Sequence, residues 1–196
     1  MYISGYFMIL EGVGFMNEHK NIFWIFALLI VIIAPFVILF TPAIVSVTVS
    51  DPRYTIVFLP LSTSMLMYTL AFAVVIVCLA FMYFSKSLLI SSATGIVAVI
   101  GFVIIFSLGV QNYVYLHQDY IEYNSLWGSK EEYKWEELTK VTHEMYDQET
   151  NREEKYIFEF NDGNKFEFLV SGIVDSSVQS QIYNKLIKLD VPYKEY

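Results

Sequence analysis

The chain has 196 residues, 56% of them hydrophobic, with 12 basic and 20 acidic side chains for a net charge of −8. A mean hydropathy of +0.49, gathered into uninterrupted apolar blocks, excludes an ordinary soluble domain. The acidic balance excludes nucleic acid as a partner and also a polybasic grip on anionic lipid heads.

The charge is divided unevenly. Lys20, Arg53 and Lys86 balance Glu11, Glu18 and Asp51 in residues 1–110, so the whole net charge lies in residues 111–196. The expected organisation is an N-terminal tail (1–20), a membrane anchor (21–111) and a water-facing domain (112–196). The tail does not read as a secretory signal, since it lacks a basic start and a clean apolar run. Leu10-Glu11-Gly12 can be encoded by a purine-rich ribosome-binding sequence, so translation is expected to begin at Met16 of a bacterial gene.

Three blocks free of Asp, Glu, Lys and Arg follow, at 21–40, 65–84 and 88–110. Each has the length of roughly 20 residues that an α-helix needs to cross the hydrocarbon core, so the lipid bilayer is the first expected partner. Trp24 stands near one end of the first block, where amphipathic rings favour the interface. Pro35 within it reads as a kink. Between the first two blocks, β-branched residues flank Ser50-Asp51-Pro52-Arg53. Two readings stay open there: a short hairpin over 43–61 at the membrane surface, or apolar ends that lengthen the two helices. Cys78, the lone cysteine, lies mid-span and permits no disulfide within the chain.

In the third block Ser87, Ser91, Thr94, Ala98 and Gly101 recur at helical spacing and form one small-residue stripe. Such a stripe lets helix backbones approach closely, either against the other spans or in a homo-oligomer. No ionisable side chain lies inside any block, which speaks against an ion or proton route. By the positive-inside rule Lys20 and Lys86 favour an outside C-terminal domain, and Arg53 opposes them.

From about Asn112 the pattern changes to short alternating runs. Strands are expected over 113–116, 120–123, 132–135 and 138–146. Tyr156, Phe158 and Phe160, then Asn161-Asp162-Gly163-Asn164, then Phe166, Phe168 and Val170 spell an antiparallel hairpin with one aromatic face. Ser176 and Gln179 have capping-box spacing behind Asp175, and Val178, Ile182, Leu186 and Leu189 mark the apolar face of a last helix. Pro192 stops it. The expected fold class is therefore three transmembrane helices followed by an α+β domain, an antiparallel sheet closed by a C-terminal helix.

This order of strands, Tyr133-Lys-Trp135-Glu-Glu-Leu138, the aromatic hairpin and the terminal helix resemble the bacterial pleckstrin-homology-like domain, often fused to a few membrane spans. Trp135 and Leu138 match that family's Trp-x-x-Ile/Leu at a strand end. The resemblance implies a pleckstrin-homology-like sheet, and about 80 residues are short for its seven strands, so one strand is missing or grows from the third span. Members that bind phosphoinositides carry basic residues in an early hairpin; here residues 124–132 hold Lys130 beside Glu131 and Glu132, so lipid-head binding is not carried over. The resemblance implies a cytoplasmic domain, against the charge rule.

Chemistry-bearing patterns are sparse. His19, His117 and His143 show no metal-ligand pairing, and His143 reads as a surface or partly buried strand residue. Glu131/Glu132, Glu136/Glu137 and Glu153/Glu154 are adjacent, so in a strand their side chains point to opposite faces and read as solvated. Trp127 and Trp135 read as core or rim. No cofactor motif occurs. The expectation is a non-catalytic membrane protein that binds an unknown protein partner, at a sheet edge or beside the terminal helix, or supports a membrane complex. A transporter or channel accessory subunit is one alternative. A membrane enzyme is the other, with Glu18, His19, Asp51, Arg53, Lys86 and His117 as its only interfacial ionisable groups.

Overall fold

The computed structural model describes residues 4–51, 53–85, 87–146, 152–170 and 172–196, with side chains from residue 22 onward except residue 88. The helices are α1 (Ser4–Val49), α2 (Ser62–Phe84), α3 (Leu88–Gln111) and α4 (Ser176–Lys188). The strands are β1 (Thr55–Pro60), β2 (Tyr113–His117), β3 (Tyr120–Asn124), β4 (Lys130–Lys134), β5 (Leu138–Glu144), β6 (Lys155–Phe160), β7 (Lys165–Leu169) and β8 (Tyr193–Glu195). Three helical stretches, Ile22–Val49, Ser62–Phe84 and Leu89–Gln111, are long and apolar enough to cross a membrane. The chain is a membrane protein with three such helices and an α+β domain. The start expected at Met16 falls on residues whose side chains lie outside those described.

The contacts divide the chain into two units, Met1–Phe40 with Leu66–Ser107, and Thr41–Met65 with Leu108–Tyr196. In the helical unit most of the buried positions are small, Ala27, Ala34, Ala71, Ser91 and Ala98, with Tyr68 the large exception. Close helix approach depends on the small ones. Gly101 also lies close to α2, where a Cβ would stand 3.5 Å from Val74 in ordinary van der Waals contact. Larger rings interlock beside them, Tyr68 with Phe106 at 5.0 Å and Phe72 with Phe102 at 5.2 Å.

The second unit takes in Thr41–Met65 ahead of Leu108–Tyr196, whereas the sequence reading starts the domain at residue 112. Among the described residues, 43–49 and 55–60 do not pair with each other. Residues 43–49 continue α1, with the hydroxyls of Thr48 and Ser50 folded back onto the carbonyls of Ile44 and Ser46. The helix stops ahead of Pro52, as steric clash before proline disfavours helical backbone. Thr55–Pro60 pairs instead with β2, from Thr55 opposite His117 to Pro60 opposite Tyr113. An isolated two-stranded ribbon is marginal in water, whereas β1 joins a four-stranded sheet and buries both its faces. Val57 and Leu59 enter the domain core, and Phe58 packs with Tyr113, Tyr115 and Val45 of α1 on the other side.

One sheet runs β1-β2-β3-β4, all antiparallel; the other runs β7-β6-β5-β8, with only β8 parallel to its neighbour. Trp135, Phe158, Phe160, Phe166 and Phe168 fill the core together with Ile182 and Leu186 of α4. The expected aromatic hairpin turns at Gly163, whose φ of 86° is the left-handed conformation that glycine adopts without a Cβ penalty. At α4 the cap is Asp175, not Ser176: its carboxylate accepts from the amide of Val178 at 2.9 Å. A carboxylate one residue earlier also offsets the positive end of the helix.

Leu61 follows β1 and Asn112 precedes β2, and a buried polar clasp within this unit holds the two together. The Ser64 hydroxyl donates to the carbonyl of Asn112 at 2.6 Å, and the Asn112 amide donates to the hydroxyls of Ser64 at 3.0 Å and Thr63 at 2.5 Å. Leu61 N–H also donates to the Asn112 carbonyl, at 3.2 Å.

Candidate functional site

β5 sends Val141 and His143 to the same face of its sheet, opposite Phe158 and Tyr156 of β6. Val141 meets the apolar core, but His143 lies near the strand's end and stacks on Tyr156, ring centres 4.2 Å apart and 7° from parallel. Phe168 covers the other face of Tyr156 at 5.5 Å. Only 3% of His143 is exposed. A buried imidazole needs partners for both nitrogens, and both are supplied. Nε2 lies 2.8 Å from a carboxylate oxygen of Glu154, and Nδ1 lies 2.9 Å from the hydroxyl of Tyr193. A carboxylate oxygen of Glu195 stands 3.5 Å from Nδ1.

β8 delivers the last two groups. It lies along β5 with Val141 opposite Tyr193 and His143 opposite Glu195, held by bonds from Val141 N–H to the Pro192 carbonyl at 2.9 Å and from Tyr196 N–H to the His143 carbonyl at 3.0 Å. Across from it, α4 presents Ser176, Gln179, Ser180 and Tyr183, spaced so that they share one helical face. Between these walls lies a cleft of about 590 Å³.

Burial, and next the neighbouring Tyr193 hydroxyl, push the Tyr156 phenol well above its ordinary range. Burial followed by the Glu195 carboxylate raises Tyr193. Both phenols therefore keep their protons at neutral pH. Both nitrogens are engaged, and His143 orders the wall of the cleft. Among the described residues no group of three or more His, Cys, Asp and Glu side chains could hold a metal ion.

No family model matches the chain, and no curated protein matches it. The site must therefore be read from its own residues.

The structure places the stripe residues of α3 as follows. Ser91 and Ala98 are buried, Ser87, Thr94 and Gly101 are half-buried, and Gly101 faces Val74. The Thr94 hydroxyl bonds the Ile90 carbonyl of its own helix at 2.9 Å, not a neighbouring helix. Of the interfacial ionisable groups, Asp51 and Arg53 pair at 3.2 Å, and His117 stacks on Tyr120 with ring centres 4.4 Å apart. The Arg53 hydrogen bonds hold the Asp51 carboxyl below its usual range. Glu18, His19 and Lys86 lie outside the described side chains. Trp135 is a core residue whose ring N–H donates to the His117 carbonyl at 2.8 Å, while Trp127 is 84% exposed in the turn after β3.

Adjacent glutamates do not all behave as a solvated face. Glu131 accepts from the Tyr133 hydroxyl, Glu137 from the Lys134 N–H, and Glu154 holds His143. Glu122 is buried as well, accepting from the Tyr113 hydroxyl and pairing with Lys130 at 2.8 Å. The position of His143 had a signal in the sequence, since it shares strand parity with Val141. Tyr193 and Glu195 had none, because they follow Pro192 and pair in parallel with a strand some 50 residues earlier.

Proposed function

We propose that this chain is a non-catalytic integral protein of a bacterial cell membrane whose pleckstrin-homology-like C-terminal domain binds a protein partner. The carrying observation is the cleft between β5, β8 and the first half of α4, walled by an ordered imidazole and three tyrosines. It has the size of a recognition site, and its one histidine is committed on both nitrogens. Seven strands in antiparallel order, four in one sheet and three in the other, with a closing helix, support the family reading. β1 supplies the strand that residues 112–196 lack for that count. Trp135 stands at the end of β4 and Leu138 opens β5, as the family's pattern implies.

The route through a sheet edge is narrowed by β8, which already occupies the edge of β5. The groove beside α4 is accordingly the contact surface in this reading. A photo-crosslinking side chain at Gln179 of the full-length protein, in native membranes, tests it. The expected result is one adduct of discrete mass at residue 179 that is absent when the crosslinker replaces exposed Lys134 on β4. Equal adducts at both positions, or none at residue 179, overturn the reading.

A further inference from the structure

We propose that the cleft recognises an organic cation, the ammonium or guanidinium group of a basic segment on the partner protein. This rests on the partner-binding reading and names the chemistry it would use. The first ground is the hydrogen-bond inventory of the walls. The Gln179 amide nitrogen is committed to the Val174 carbonyl at 3.3 Å, and the Ser180 hydroxyl donates to the Ser176 carbonyl at 2.7 Å. The Tyr193 hydroxyl is engaged with His143. The Gln179 carbonyl oxygen and the Glu195 carboxylate, whose side chain is 55% exposed, offer acceptors, beside the hydroxyls of Ser176 and Tyr183, which can accept as well as donate. Such a lining suits a ligand that brings donors.

The second ground is the arrangement of rings. Tyr183 and Tyr193 meet at 5.3 Å and 72°, forming an aromatic corner, and Tyr183 is 47% exposed. Ring faces attract cations, most strongly where water is partly excluded. The third ground is charge. No Lys or Arg is among the described residues lining the cleft, and the carboxylates of Glu154 and Glu195 flank the imidazole. The positive end of α4, which would favour an anion, is already answered by Asp175. Residues 111–196 carry the chain's whole excess of negative charge, which complements a basic segment on a partner and steers its approach.

The test uses the full chain in maltoside micelles, which offer no ammonium group of their own. The probe is the peptide acetyl-Gly-Lys-Lys-Gly-amide, titrated calorimetrically beside the same peptide acetylated on both lysine side chains. The lysine peptide should bind at least about tenfold more tightly than its neutral counterpart. Tyr183→Ala and Glu195→Gln should each weaken it by roughly three- to thirtyfold, the range of a partly desolvated cation–ring contact. Glu136→Gln removes the same charge from an exposed site on a different turn and should change nothing. Equal binding of the acetylated peptide, or equal weakening by Glu136→Gln and Glu195→Gln, overturns the cation site. Tighter binding of phosphocholine than of the lysine peptide overturns the protein source. An adduct at residue 179 without cation preference sinks this inference and leaves partner binding standing; cation preference without an adduct overturns the protein source and keeps only the cation chemistry of the cleft.

Discussion

The two units of this molecule bury opposite kinds of residue. In the helical unit the hidden positions are mostly alanines, with Ala71 at 0% exposure, while Trp24, Phe36 and Phe81 stand more than half exposed. In the α+β unit the hidden positions are large: Trp135, Phe158, Ile182 and Leu186 are all at 0%. Hydrophobicity is therefore not what selects the interior in both. Where lipid surrounds the helices, large apolar side chains gain little by turning inward, and close backbone approach selects small residues. Where water surrounds the domain, removal of apolar area drives the fold, and the largest rings go inside.

Truncating a ring in each unit should break the symmetry most clearly. Phe158→Ala in β6 should cost about 3–5 kcal/mol, because Trp135, Tyr156, Phe166 and Phe168 all lose a partner and a cavity remains. Phe36→Ala, at a position 62% exposed in α1, should leave stability close to wild type. Denaturant titration of the full chain in maltoside, followed by near-ultraviolet circular dichroism, measures both. Equal losses would show that the helices are packed by ring burial after all.

Enlarging a small residue sharpens the comparison from the other side. Ala71→Leu in α2 should destabilise by about 1–3 kcal/mol, since Ala71 is fully buried and three more carbons must push its neighbours aside. Its readout is the thermal loss of helical signal. An Ala71→Leu variant as stable as wild type would mean that these helices are not held by close approach.

The two units also differ in how much of each was legible in the sequence. The three apolar blocks appear as helices because a run free of charge is its own signal. β2 to β7 were legible through period-two alternation, and the hairpin of β6 and β7 through Asp162-Gly163 between two aromatic rows. β1 was legible only as one of two open readings. Val57, Phe58 and Leu59 are all buried, so both its faces are apolar and the stretch reads equally as a strand of a surface hairpin or as the continuation of a span. Its partner β2 follows two spans later in the chain, and no local pattern announces such a pairing. The cleft suffered twice from the same cause. Strand parity placed His143 beside Val141, yet a polar residue on a strand reads as outward when its partners, Glu154 and Tyr193, come from a loop and from β8.

The smallest effect concerns protons, and it separates the domain from the spans by pH alone. Tyr133 of β4 packs its ring 4.0 Å from Phe160. Its hydroxyl donates to Glu131 at 2.8 Å and accepts from the Asn164 amide at 2.7 Å. Burial pushes this phenol up to about 12. An unfolded tyrosine ionises near 10, so between roughly pH 10 and 12 the unfolded chain gives up a proton that the folded domain retains. The stability that the neutral phenol supports is whole below pH 10 and is lost as pH rises through about 12. Burial shifts Tyr113 and Tyr156 in the same direction, so the domain should loosen in alkali as a group. Tyr133→Phe forfeits two hydrogen bonds and should be slightly less stable at pH 7, yet it should lose stability less steeply above pH 10. Denaturant midpoints at pH 7, 10 and 11 measure both slopes. Identical slopes for the variant and the wild type would mean that Tyr133 ionises freely in the folded domain, and that its contact with Phe160 leaves the hydroxyl open to water.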